Sequence, residues 1–291
     1  MKNKTAGDKI FHWGIMIFLT AAVAVAIIPF FNIISVSLSS SEAITKGEVS
    51  LLPIGFNTEA YKAVLNDASM IFSLGYTIAL TLIYTLLAML VTLCGAYALA
   101  QQRLYGRKIF MTIIVITMYF DSGVIPQYLL NKSLGITNTA LVLVLPCLLS
   151  AYNMIVLKTF VEDIPASIEE SARLDGATDF TIMFKIILPL LKPAIATVSL
   201  FYAVSRWNTF QDVIYYIQNT SLFTLQYKLQ MMIDISQSNE LTQFEGANLS
   251  KLTPENLKSA SIIFAAVPIM AVYPFAQKYF VKGVTLGSVK G

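Results

Sequence analysis

Long apolar stretches alternate with short polar ones along this chain. Ser73 to Ala100 carries no charged residue, and it exceeds the roughly 20 residues that an α-helix needs to cross a bilayer. Five further stretches are predicted spans: Ile10 to Leu38, Ile109 to Tyr128, Thr139 to Phe160, Ile186 to Ile214 and Ser259 to Val281. A transmembrane β-barrel needs strict in–out alternation, and runs such as Ile27 to Ile34 and Leu82 to Val91 lack it. The pattern predicts an all-α polytopic membrane protein with six transmembrane helices. Pro146, Pro189 and Pro193 fall inside the fourth and fifth spans, which a bundle tolerates when neighbouring helices satisfy the freed carbonyls. No repeat stands out and the loops are short, so residues 1–291 read as a single transmembrane domain.

Composition agrees: 56% of residues are hydrophobic and 13% charged, where soluble domains carry roughly 25%. The amino end resembles a signal peptide at Ala24-Val25-Ala26, but apolar character continues through Ile34. That is too long for a removable segment, so it is kept as the first span. Charge placement orients the spans. With the amino end cytoplasmic, the inner segments hold thirteen basic residues, including Arg103, Arg107, Lys108, Lys158, Arg173, Lys185 and Lys192; the outer ones hold seven. That excess is the positive-inside pattern, and it places both termini in the cytoplasm. Cys94 and Cys147 fall in predicted spans and read as small hydrophobes, without a disulfide. His12 is the only histidine, which argues against a His-based metal site or His-dependent catalysis.

One polar wedge interrupts the apolar pattern, IPASIEESARLDGATDFTIMFKIILPLLKP from Ile164 to Pro193. Pro165 suits a first helical turn, and Glu169 and Glu170 favour a helix amino end. Asp175-Gly176 then predicts a stop, with Asp175 free to cap a second helix over Ala177 to Ile187. Residues 162–187 are thus expected to form two short helices crossing at a glycine, on the cytoplasmic side.

Glu170-Ser171-Ala172, Asp175-Gly176-Ala177, Ile186 and Leu188-Pro189, at this spacing, resemble the EAA loop of permease subunits of binding-protein-dependent ABC importers. The family has Ala where this chain has Ser171, a small-for-small departure. The resemblance implies the type I importer permease (MetI-like) fold and a multi-pass protein of the bacterial cytoplasmic (inner) membrane. It also implies an ATPase-coupling role for Glu169, Glu170, Ser171, Ala172, Arg173, Asp175, Gly176 and Ala177. Glu170 would bond to the ATPase, Ser171 and Ala172 would allow close approach, and Gly176 would supply the turn. The implied partners are a second homologous permease, two cytoplasmic ATPase subunits and an external solute-binding protein, with membrane lipid around them and no nucleic acid. The chain has no G-x-x-x-x-G-K-[ST] loop, so it is not expected to be an enzyme or to bind a cofactor. ATP and Mg would sit on the ATPase subunits. Trp207-Asn208 and the ending Gln277 to Gly291 resemble carbohydrate permeases, especially the maltose-system G-type subunit and the polysaccharide and complex-oligosaccharide branch. By that resemblance the tail 283–291 would reach the ATPase in extended form through Gly287, Lys290 and Gly291.

Charged and amide groups inside spans are candidate solute contacts. Asp121 lies about 18 Å into its span at 1.5 Å per residue, and Arg206 reaches a similar depth. The two are expected to pair or to face a shared wet cavity. Tyr119, Gln127, Tyr152, Asn153, Trp207, Asn208 and Gln211 add the aromatic faces and amides that sugar recognition uses. The function expected is the permease subunit of an ATP-driven carbohydrate importer. The alternative is an ion-gradient-driven secondary transporter with Asp121 as proton carrier, which leaves the wedge unexplained. An intramembrane enzyme lacks its signatures: no HExxH or GxSxG is present, and no catalytic or metal-binding residue is assigned.

Overall fold

The computed structural model describes residues 6–238 and 252–288, and no strand occurs among them. The helices are α1 (Ala6–Ser37), α2 (Ser41–Thr45), α3 (Glu59–Asn66), α4 (Ala68–Ala100), α5 (Arg107–Thr117), α6 (Val124–Ser133) and α7 (Ala151–Glu162). They continue as α8 (Ala166–Leu174), α9 (Asp179–Thr181), α10 (Leu188–Leu190), α11 (Lys192–Asn208), α12 (Gln211–Tyr216), α13 (Leu225–Ser238) and α14 (Pro254–Ser288). Among the described residues three continuous helices are long and apolar enough to cross a membrane: Phe11–Ser37, Ala68–Ala100 and Pro254–Pro274. Two bent pairs qualify if each is one span.

The chain divides into two compact units. The first comprises Met1–Ile71 with Leu229–Val267. Its α1 is apolar all round, with no buried share across its spanning window. The loop after α1 folds back on it: Asn32 Nδ2 donates to Ser50 O at 2.8 Å and Ser35 Oγ to Leu51 O at 2.7 Å. At the start of α14, buried Asn256 donates to Val36 O (2.8 Å) and Ser39 O (3.2 Å). It thereby supplies donors to carbonyls freed at the end of α1.

The second unit, Phe72–Lys228 with Pro268–Gly291, holds the larger core. Leu80, Tyr84, Ala88 and Leu93 of α4 belong to one buried cluster with Met154 and Leu157 of α7 and Val198 and Tyr202 of α11. The fourth predicted span is bent by 50° between Ala140–Cys147 and Ala151–Glu162. Pro146 lies in the 3-10 turn just before that break, and tyrosines repair it. Tyr84 Oη donates to Cys147 O at 2.8 Å, while Tyr202 Oη accepts from Ser150 N at 3.0 Å and shares a 2.7 Å bond with Thr92 Oγ1.

The fifth span departs from its expected bounds. Pro193 has no N–H for a continuing helix, and the chain turns by 85° between Asp179–Leu190 and Lys192–Asn208. Helix α11 therefore begins at Lys192, and Ile186, Leu188 and Pro189 lie on the segment before the bend. The third span also differs. Helix α5 has 11 residues, about 16 Å at 1.5 Å per residue, and residues 118–123 separate it from α6. Gly123 has φ +79° and ψ 168°, a conformation open essentially to glycine alone. Asp121 Oδ1 accepts from Gly123 N (2.9 Å) and Gln127 Nε2 (3.0 Å), holding the start of α6. At the carboxyl end, α14 continues to Ser288. Residues 283–288, with Gly287, are thus helical rather than extended, and Lys290 and Gly291 lie outside the described residues.

Arg206 does not pair with Asp121. Its guanidinium grips Asp212 at 2.5 and 3.1 Å, and also donates to Leu143 O (2.9 Å) and Thr209 O (3.2 Å). Arg206 is 4% exposed. This fork fixes the end of α11 to α12 and to the 3-10 turn at 140–143. Arg206→Ala or Asp212→Ala leaves a buried charge without its partner, and about 3–5 kcal/mol of stability is expected to go. Arg206→Lys keeps the charge but loses the fork. Thermal unfolding of the purified chain in detergent measures all three. Tyr202→Phe removes the partner of the half-buried Ser150 N–H and of the buried Thr92 hydroxyl, and is expected to cost about 1–3 kcal/mol in the same assay.

Candidate functional site

The wedge folds as two short helical segments around a hinge. Pro165 precedes α8, and its carbonyl accepts from Ile168 N at 3.1 Å. At the other end, Ala177 N donates to Ala172 O and Gly176 N to Arg173 O, both at 3.0 Å. These are the two bonds of a Schellman stop. Gly176 takes φ +80°, and a Cβ added there would meet no atom within 4 Å, so backbone conformation rather than space demands glycine. Asp175 closes α8 and does not cap the following helix. Thr178 does, its Oγ1 accepting from Thr181 N at 3.4 Å, and the second segment starts at Asp179 rather than Ala177. A π-helical stretch, Ile182–Ile187, carries the chain from α9 to α10.

Helix α8 sorts the expected coupling residues onto two faces. Ala172 is buried, and Ala177 beyond the hinge packs against the core. Glu169 turns inward, accepting from Tyr97 Oη and Gln101 Nε2 (both 3.1 Å) and from Arg173 Nη2 (2.5 Å). The same Arg173 nitrogen reaches Asp179 Oδ1 at 2.6 Å, and Arg103 Nη2 meets that oxygen at 2.5 Å. Glu170, Ser171 and Asp175 are exposed, and Leu174 is 89% exposed. Among the described residues no ion pair involves Glu170. Beyond the hinge, Phe180 is 72% exposed. The outer face thus offers two carboxylates, a hydroxyl and two apolar side chains.

Burial opposes ionisation of Glu169, yet the hydrogen bonds from Arg173, Gln101 and Tyr97 outweigh it and hold the carboxyl below its ordinary value. Bonds from Arg173 and Arg103 depress Asp179 likewise, and the bond to Glu169 raises Arg173. Glu169 and Arg173 were legible as candidates in the sequence, but their partners were not. Tyr97, Gln101 and Arg103 lie some seventy positions earlier, and no local pattern links them to the wedge.

The expected solute residues divide. Tyr119, Asp121 and Gln127 gather at the break between α5 and α6, exposed, with Tyr119 80% exposed. Tyr152, Asn208 and Gln211 are exposed elsewhere, and Asn208 Nδ2 turns back to Val204 O at 2.9 Å. Asn153, Arg206 and Trp207 are buried. Among the described residues no group of His, Cys, Asp or Glu could hold a metal ion.

Two outcomes are expected of this site. Gly176→Ala places a side chain at positive φ and costs about 1–2 kcal/mol, measurable by thermal unfolding. A folded-state pKa below the unfolded one stabilises above the unfolded value and is lost as pH falls through the folded one. Stability is therefore expected to change little through this network from pH 8 to 5 and to fall below about pH 4. Glu169→Gln with Asp179→Asn flattens that acid limb in a pH series of melting temperatures.

The chain as a whole has counterparts among known proteins. A family model described as binding-protein-dependent transport system inner membrane component matches residues 92–286. The polygalacturonan/rhamnogalacturonan transport system permease protein YtcP of Bacillus subtilis (strain 168) is 37% identical, over 98% of this chain and 99% of its own length. Protein LplC of the same organism is 36% identical, over 100% and 98%. One chain in the crystal structure of a bacterial ABC transporter involved in the import of the acidic polysaccharide alginate superposes with a TM-score of 0.89. It shares 34% identity and covers 96% of this chain and 100% of its own. This chain belongs to the family of inner membrane components of binding-protein-dependent transport systems.

Proposed function

We propose that this chain is one permease half of an ATP-driven importer that carries an oligosaccharide or polysaccharide fragment into the cell. It works beside a second permease, two cytoplasmic ATPase subunits and a solute-binding protein. The observation that carries this reading is the two-faced helix α8. Its inner face is bonded to the end of α4, while Glu170, Ser171 and Leu174 stand outward around a hinge fixed by Gly176. A carboxylate flanked by an apolar side chain is a docking surface for a partner offering a basic group and an apolar cleft. The family supports the binding-protein partner, and the names of the relatives support a uronic-acid-containing or related glycan. Nucleotide and Mg stay with the ATPase subunits.

The break at 118–123 is this subunit's contribution to the solute path. Irregular backbone at membrane depth needs protein or water around it, and a carboxylate such as Asp121 does not face lipid. Tyr119 and Phe120 are both largely exposed there, and they offer aromatic faces to the apolar side of a sugar ring.

Glu170→Lys reverses the docking charge without touching the inner network. Losing a charge-assisted bond of about 1.5–3 kcal/mol is expected to lower ATPase co-purification by about tenfold or more, with the chain still in the membrane. Undiminished co-purification and sustained uptake would sink the coupling assignment. A cysteine at Asp175 is expected to react with a membrane-impermeant thiol reagent in inside-out vesicles and not in intact cells; the reverse result inverts the orientation.

A further inference from the structure

The turn between α4 and α5, residues 101–107, is held from three sides. Glu169 of α8 bonds Gln101 and, one turn back on α4, Tyr97. Asp179 of α9 bonds Arg103 at 2.5 Å. Glu162, at the end of α7, ion-pairs with Arg107 and is itself fixed by Lys158 at 2.7 Å, while Arg107 Nε returns to Leu99 O at 2.8 Å. Arg173 closes the circuit by bridging Glu169 to Asp179. Apolar attachment of α8 is thin by comparison, since Ala172 is its only buried residue. Beside these contacts lies a cavity of about 480 Å³ lined by Gln101, Arg103, Glu162, Glu169 and Arg173, so polar bridges rather than close packing span the gap.

We propose that this turn is the joint that receives force from the coupling helix, with Tyr97, Gln101, Arg103, Glu169 and Arg173 as positioning residues that make α8 and α4 move as one body. The covalent route onward from α8 to α11 passes through the turn at Gly176 and then the 85° bend at Leu191, and the route back to α7 passes through the non-helical residues 163–165. Each of these turns redirects a displacement instead of passing it straight on. The ionic route is direct: it ends on α4, a continuous helix of 33 residues, so turning its end swings its whole length. This inference rests on the importer reading, and adds that the inner face of α8 transmits what the outer face receives.

The test uses the complex with its partner permease and ATPase subunits, reconstituted in lipid with Cys94→Ala and Cys147→Ala. Spin labels are placed at the exposed positions Leu86→Cys in α4 and Ile214→Cys in α12. ATP with Mg is expected to shift the distance between the labels. Glu169→Ala should abolish that shift while ATPase subunits still co-purify and still hydrolyse ATP. Tyr97→Phe and Gln101→Leu, which each delete one bond and leave the ion pairs, should diminish it should Glu169→Ala fail to fold. An undiminished shift in these variants overturns the joint. So does loss of the ATPase subunits from Glu169→Ala, which would place Glu169 on the docking surface. Absence of ATPase subunits from the unaltered complex would instead sink the importer reading itself.

Discussion

Lipid supplies no hydrogen-bond partner, so wherever a helix breaks inside the membrane some side chain must take the place of the lost backbone partner. The rest of this structure follows from that requirement. The chain breaks its apolar segments just after Pro146, at residues 118–123 and at Leu191, and side chains repair the first two. Tyr84 and Tyr202 serve the first, from α4 and α11. Asp121 serves the second from within the break itself. Beyond the third, α11 ends on the Arg206–Asp212 fork, which also takes up the carbonyl of Leu143. These repairs tie helices together at chosen points, so the same interactions that permit irregularity also fix the bundle.

Outside the apolar spans the logic changes from backbone satisfaction to charge placement. The wedge would be a solvated connector if all its charges faced water. Instead Glu169, Arg173 and Asp179 close on Arg103, Gln101 and Tyr97, and Glu170 is left outward one position away. Successive helix residues point about 100° apart, so adjacent glutamates serve opposite partners without conflict. A surface ion pair is worth little alone. Here Tyr97, Gln101, Arg103 and Arg173 share two carboxylates in a half-buried setting, and geometry rather than any single bond gives the network its stiffness.

The membrane reading needed only local information. Hydrophobic runs, the excess of basic residues on one side and the spacing of Glu170, Asp175, Gly176 and Leu188 are features of neighbouring positions. Gly176 was legible because one residue type alone takes its backbone conformation cheaply. The kinks were harder. Pro146 and Pro193 were visible as prolines, yet whether each gives a mild bend or a right-angle turn depends on what packs alongside. The segment 118–123 read as helix because it continues the apolar run from Ile109 to Phe120, and the Gly123 conformation that precedes α6 has no period to betray it.

The pairings were decided by tertiary structure. Arg206 and Asp121 have matching depth along an ideal helix, but that estimate assumes both spans are unbroken. Once the third span unwinds, Asp121 caps its own chain, and Arg206 takes Asp212 six positions away. Likewise Glu169 meets Gln101 across 68 positions, a contact that exists only because α7 and α8 fold back to the end of α4. Sequence by itself determined which segments prefer lipid, where the polar hinge lies and which residue must turn it, because those choices depend on solvent transfer and backbone sterics acting residue by residue. Only the folded chain decided which charges face inward and which remain for a partner, because an ion pair depends on where two distant backbones are brought together.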